Sequence, residues 1–300
     1  MSPQVQQSIN DIIDPARLGD LKRLELRSKR RIDADIAGAY RSAFRGSGLV
    51  FSELREYQPG DEIRHIHWKA SARTGRVYVK SYQEDRQLNL MLVVDTSRST
   101  LFGQERSKHQ KALEFAALVS MLASQNNDAL GLALFSDKVT EMIKPSSRAT
   151  QVHRVLSSLM AISDLKTRTD IAAAAADLNI HLRRRSVIFL ISDFFSTPFE
   201  EQLRTLAQRH DLIAVFLEDI LDYNPPQAGL VEFEASEGRG RIVIDTSDRS
   251  VREQLRQSHE ARFLALKQLV ERVGGDVIRV DRDPLSPLVS LMRRRMRRYR

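Results

Sequence analysis

The residues with the clearest chemical potential in this 300-residue chain are Asp95-Thr96-Ser97-Arg98-Ser99, which directly follow the apolar run at 88–94. A run rich in Leu and Val, apolar without alternation, predicts a central parallel strand covered on both faces. In an open parallel sheet, ligands bind where loops and helix starts converge, at the carboxyl ends of the strands. Asp95 falls at such an end. Two short hydroxyl side chains follow it at spacings of two and four, so the turn can wrap a small hard cation. An oxygen-only donor set selects Mg2+, with Mn2+ and Ca2+ as alternatives. The competing reading is a helix cap, because Asp and Ser are also the commonest N-cap residues.

Two later positions weigh against a mere cap. Thr169, followed by Asp170, opens an alanine-rich helical stretch, and Asp193 ends the second continuous apolar run, SVIFLIS at 186–192. If those strands run parallel to the first, Thr169 and Asp193 reach the same sheet edge as Asp95. The five positions then describe one oxygen-lined pocket. A phosphohydrolase is the enzymatic alternative, since an aspartate ending a central strand beside Mg2+ can serve phosphoryl transfer. Against it, the position two residues after the aspartate, where phosphatases of the haloacid dehalogenase type place a second carboxylate, is Ser97. No glycine-lysine phosphate loop and no G-x-S-x-G elbow is present either.

The elements that position these residues alternate as in a doubly wound sheet. Helical spacing covers 108–124, 150–160, 170–182, 199–209 and 250–273. Strands are expected at 129–135, 138–143, 212–217 and 276–280. The segment 230–245 reads as an inserted hairpin turning around Glu237, Gly238, Arg239 and Gly240, and Gly274 with Gly275 is a helix stop before the last strand. Residues 1–87 differ: a charged helical opening precedes strand-like pieces at 49–57 and 76–82, separated by the turn signal Pro59-Gly60-Asp61. The expected organisation is an N-terminal extension (1–87) and a mostly parallel α/β domain (88–300).

Composition bounds the rest. The chain has no cysteine, which removes disulfides, thiolate metal sites and cysteine nucleophiles together. With no apolar run long enough to span a bilayer and no signal-like N-terminus, a cytoplasmic protein is expected. The net charge of +8 arises largely from two clusters. One runs from Lys22 to Arg31, with Arg41 and Arg45; the other is Arg293, Arg294, Arg295, Arg297, Arg298 and Arg300. Basic tails bind nucleic acid or anionic membranes. No aromatic-interleaved patch or reading motif accompanies this one, so nucleic acid is not an expected partner. The spacing of Leu285, Leu288, Leu291, Met292 and Met296 predicts a helix that packs on the main domain.

Asp95, Ser97, Ser99, Thr169 and Asp193 together resemble the metal-ion-dependent adhesion site of von Willebrand factor A domains. The resemblance implies that hydroxyls bind the metal, that the aspartates act largely through water, and that a partner's acidic residue completes the shell. Residues 46–83, GSGLVFSELREYQPGDEIRHIHWKASARTGRVYVKSYQ, resemble the signature of the bacterial domain of unknown function 58 family. Members are often encoded beside MoxR-type AAA+ ATPases, which implies an adaptor or co-chaperone in protein complex assembly or remodelling. Two positions depart from the family pattern: His67 precedes Trp68 where an acidic residue is usual, and Thr100 follows Ser99 where methionine is common. Within the signature, Glu53, Arg55, Glu56, Asp61, Arg64, Trp68 and Arg73 are read as an ion-pair network fixing the extension, with a docking surface as the alternative. His65 and His67 lack neighbouring ligands and are not expected to hold a metal.

Overall fold

The computed structural model describes residues 15–44, 48–62, 65–85, 87–101, 103, 106–162, 168–196, 198–234 and 241–298. Arg45, Arg64, Arg300 and the expected hairpin turn at 237–240 lie outside them. In chain order the elements are helices α1 (Pro15–Arg31) and α2 (Ala34–Ala43), strand β1 (Gly48–Glu56), helix α3 (Trp68–Thr74), and strands β2 (Tyr78–Asp85) and β3 (Asn89–Asp95). A 3-10 turn at Arg98–Leu101 leads to α4 (Lys108–Gln125), β4 (Ala129–Phe135), β5 (Val139–Ser146), α5 (Gln151–Met160), α6 (Ile171–His181) and β6 (Val187–Ser192). There follow α7 (Glu200–Arg209), β7 (Asp211–Leu217), α8 (Ile220–Tyr223), β8 (Leu230–Glu234), β9 (Arg241–Asp245), α9 (Arg249–Arg272), β10 (Asp276–Val280) and α10 (Leu285–Arg298).

The main sheet has the order β10-β7-β6-β3-β4-β5. All its pairings are parallel except β4 with β5, so the edge strand expected at 138–143 runs antiparallel. This is the doubly wound, mostly parallel α/β architecture expected from the sequence. Leu90, Met91, Leu92, Val93 and Val94 of β3 are fully buried, as a central strand requires. Phe115 of α4 meets Phe189 of β6 edge-to-face at 5.7 Å, tying a helix to the sheet centre. The β8–β9 pair is the expected hairpin. Gly274, at φ +87°, ends α9 in the left-handed conformation, and the N–H of Gly275 donates to Val270 O at 2.9 Å.

The chain divides into two compact units, and the division differs from a boundary at 87 and 88. One unit holds the described residues up to Ala43 together with those from Asn89 onward; the other is Phe44–Leu88. The helical opening therefore belongs to the α/β unit, where α1 packs on α4 and α5, and α2 on α10. The smaller unit is an antiparallel β1–β2 pair with α3, a helix that the sequence pattern had not indicated. In it, Arg55 grips Asp61 through two nitrogens at 2.6 and 2.8 Å, and Arg76 pairs with Glu56 at 2.7 Å. His67 caps α3, its Nδ1 accepting from the Ala70 N–H at 3.0 Å. These contacts lie within the smaller unit; Trp68 is exposed.

Of the C-terminal arginines, Arg295 is internal, whereas Arg293, Arg294, Arg297 and Arg298 are exposed. Arg295 is buried, with Nη1 and Nη2 on Asp211 at 2.6 and 2.7 Å and Nε on Asp276 at 2.7 Å. Arg294 and Arg298 also reach Asp276, at 3.0 and 3.3 Å. Leu288, Leu291 and Met292 are buried beneath them, so α10 packs on its own domain.

Candidate metal centre

Strand register brings the carboxylates together. Val94 of β3 lies beside Ile191 of β6, so the next residues, Asp95 on one strand and Ser192 with Asp193 on the other, leave the sheet at the same edge. Asp95 is fully buried. Its Oδ1 accepts from the Ser97 N–H at 2.9 Å, and its Oδ2 accepts from the Ser192 hydroxyl at 2.6 Å. The Thr169 hydroxyl donates to the same Oδ2 at 3.4 Å. The hydroxyl oxygens of Ser97 and Ser99 lie 2.9 Å apart. Thr100, the departure from the family pattern, donates its hydroxyl to Ser97 O at 2.7 Å and tightens the turn.

Thr169 is placed by one backbone and one side-chain contact from the loops that follow β4 and β6. The Asp170 N–H donates to Ser136 O, just past β4, at 2.7 Å, and the Ser196 hydroxyl donates to Thr169 O at 3.0 Å. Asp170 itself caps α6, accepting from the Ala173 N–H at 2.8 Å. After Asp193, Phe194 adopts φ +55°, an uncommon conformation for a residue with a bulky side chain. That turn buries Phe194, stacked 6.3 Å from Phe216, and leaves Phe195 more than half exposed beside the pocket. All five residues singled out from the sequence thus meet at one edge.

Two further groups complete the site and were not singled out from the sequence. Ser192 both donates to Asp95 and accepts from the Phe194 N–H at 2.9 Å. Lys108, from the first turn of α4, places its Nζ 3.2 Å from Asp193 Oδ2 and 3.0 Å from Asp222 Oδ2. Lys108 had a legible signal: it falls four residues before Ala112 and seven before Phe115, on the apolar stripe of its helix.

Burial pushes Asp95 up to about 7, and the nearby charge of Asp193 adds to the rise, against hydrogen bonds from Ser192 and Ser97 that favour the anion. A cation in the pocket would relieve that repulsion. The available donors are all hard oxygens, two carboxylates and three hydroxyls, which suit a small divalent ion. Among the described residues no three His, Asp or Glu side chains converge as an alternative metal cluster. The residues present therefore fit a magnesium-like ion.

The class the fold defines is a doubly wound, mostly parallel α/β domain, here with oxygen-bearing side chains clustered at the carboxyl edge of its sheet. The chain belongs to the family described as protein of unknown function DUF58, whose pattern it matches over residues 53–262. An uncharacterised protein of Mycobacterium tuberculosis, Rv1480, is 29% identical over 293 residues, covering 96% of this chain and 92% of that protein. Among solved structures, the conserved hypothetical protein BatB of Bacteroides thetaiotaomicron is similar over 70% of this chain and 99% of its own, at 16% identity and a TM-score of 0.44. The SpRpn10 VWA domain is similar over 69% of this chain and 95% of its own, at 13% identity and a TM-score of 0.35. Among the described residues no helix is long and apolar enough to cross a membrane.

Proposed function

We propose that this chain is a protein-binding module whose grip depends on a divalent cation, Mg2+ in preference to Mn2+ or Ca2+. Asp95, Ser97, Ser99, Thr169 and Asp193 hold the ion, and an acidic residue of a partner protein completes its shell. The observation that carries the reading is Asp95, a carboxylate buried among hydroxyls with a second buried carboxylate beside it. Such an arrangement is costly without a compensating charge. The chain's role as a cytoplasmic adaptor or co-chaperone for a MoxR-type AAA+ ATPase in complex assembly or remodelling is part of the same proposal and rests on the resemblance of residues 46–83 to the family signature. A phosphohydrolase has less support, because Ser97 stands where a second carboxylate would be needed.

The test is metal-dependent capture. Mg2+ at a hundred times its dissociation constant should stabilise the fold by about 2.7 kcal/mol, and should allow immobilised protein to retain a purified MoxR-type AAA+ ATPase. EDTA or Ser97→Ala should remove both effects. Retention that is unchanged in EDTA would sink the proposal.

A further inference from the structure

Lys108 is unusually placed for a lysine. It opens α4, where the helix dipole disfavours a cation, and its side chain is only 5% exposed. Burying an ammonium costs several kcal/mol unless its partners are well placed. Those partners are Asp193 Oδ2 at 3.2 Å and Asp222 Oδ2 at 3.0 Å. The other oxygen of Asp193 accepts from the Phe195 N–H at 3.2 Å. Both oxygens of Asp193 are thus engaged by the chain itself. Asp95 differs, since its hydrogen bonds come from neutral groups alone. One carboxylate of the pair has an ammonium against it, shared with Asp222, and the other has none.

One helical turn along, Lys111 repeats the device on different partners. Its Nζ donates to Asp219 Oδ2 at 2.7 Å and to Glu218 O at 2.8 Å. Asp219 and Asp222 are joined by a capping box, in which the Asp219 N–H donates to Asp222 Oδ2 at 3.0 Å. The lysine pair therefore fastens α4 to the ends of β6 and β7. Of the two, Lys108 is the one in contact with a candidate metal ligand.

We propose that Lys108 is a positioning residue that competes with the divalent cation for the charge of Asp193 and keeps metal binding weak and exchangeable. The idea rests on the reading of the five residues as a divalent-cation site. It follows from charge and geometry: an ammonium on Asp193 Oδ2 both occupies a ligand oxygen and repels a nearby cation. A weak ion with an open position lets a partner's carboxylate decide whether the shell fills.

Isothermal titration of the full chain with Mg2+ and with Mn2+ tests the role. Lys108→Met should bind at least tenfold more tightly than wild type, because Asp193 is released and the repulsion is gone. Asp222→Asn should bind several-fold more weakly, because Lys108 is left to Asp193 alone. A purely structural lysine would not move the two variants in opposite directions. Should Lys108→Met fold poorly in EDTA, the double variant Lys108→Met/Asp222→Asn leaves one fewer uncompensated carboxylate. It should still bind more tightly than Asp222→Asn, with a larger Mg2+-dependent rise in melting temperature. Metal binding in wild type with unchanged or weakened affinity in Lys108→Met and in the double variant overturns this role alone. No binding by wild type or any variant overturns the metal reading and this role together.

Discussion

Asp95 holds a position that stability alone would not select. Without a cation, its buried negative charge faces that of Asp193, and only hydrogen bonds offset the loss of water. Asp95→Asn should therefore leave the metal-free fold as stable as wild type, or more stable by about 1–2 kcal/mol, since an amide can accept from the Ser97 N–H without carrying charge. The same variant should lose the Mg2+-dependent rise in melting temperature. Urea melts with and without Mg2+ read both effects; a variant that is less stable in EDTA yet still gains from Mg2+ would contradict the argument. The five oxygen residues were legible in the sequence because each follows a strand end or opens a helix. Ser192 was not, because a serine closing a buried strand carries no spacing signal. Lys108 was overlooked because one charge in an apolar stripe reads as a lysine with its end in solvent, and only the fold reveals Asp193 and Asp222 waiting for it.

Between elements, the junction of α7 and β7 offers a counterpart with the opposite pH response. His210 follows α7 and is buried; its Nδ1 accepts from the Ser186 N–H, just before β6, at 3.2 Å. Burial lowers it to about 4, and the charges of Arg209 and Arg185 act in the same direction. A histidine in the unfolded chain titrates near 6.5. Between about 6.5 and 4 the unfolded chain therefore binds a proton that the folded one refuses, and acidification destabilises at up to about 1.4 kcal/mol per pH unit. Asp95 opposes this: its raised value means the folded chain holds the extra proton, so its contribution to stability is present at low pH and lost as pH rises through about 7. In EDTA, His210→Gln should thus become more stable relative to wild type as pH falls from 6.5 to 5, and Asp95→Asn less so. Parallel responses from the two variants would overturn the assignment. The elements themselves were mostly legible, β3 and β6 above all, from their continuous apolar runs. The direction of β5 was not, since a short half-buried strand looks alike in both directions. Nor were α3 and α8, at 7 and 4 residues too short for a helical period to declare itself.

At the scale of the molecule, the sequence marks a change of character near residue 88, yet the α/β unit begins earlier in the chain. The helical pattern of the opening could be read; the surface it packs against could not, because a unit interrupted by the segment Phe44–Leu88 leaves no mark in local periodicity. Tyr40 of α2 is almost wholly buried, and its hydroxyl donates to Asp128 Oδ2, between α4 and β4, at 2.7 Å. Leu21 of α1 and Ala43 of α2 are buried as well, and Arg31 pairs with Asp283 ahead of α10. A chain beginning at Leu88 would uncover the faces of α4, α5 and α10 that α1 and α2 now cover. At about 25 cal/mol per Å2 of apolar surface, losing several buried side chains removes several kcal/mol, a large share of an ordinary domain's stability. Such a chain should aggregate or melt well below the full protein, with its near-ultraviolet dichroism weakened. Tyr40→Phe in the full chain isolates one contact and should cost about 1–3 kcal/mol in urea. If the Leu88 chain instead melts with the midpoint of the full protein, α1 and α2 are accessory, and the domain begins at the sheet after all.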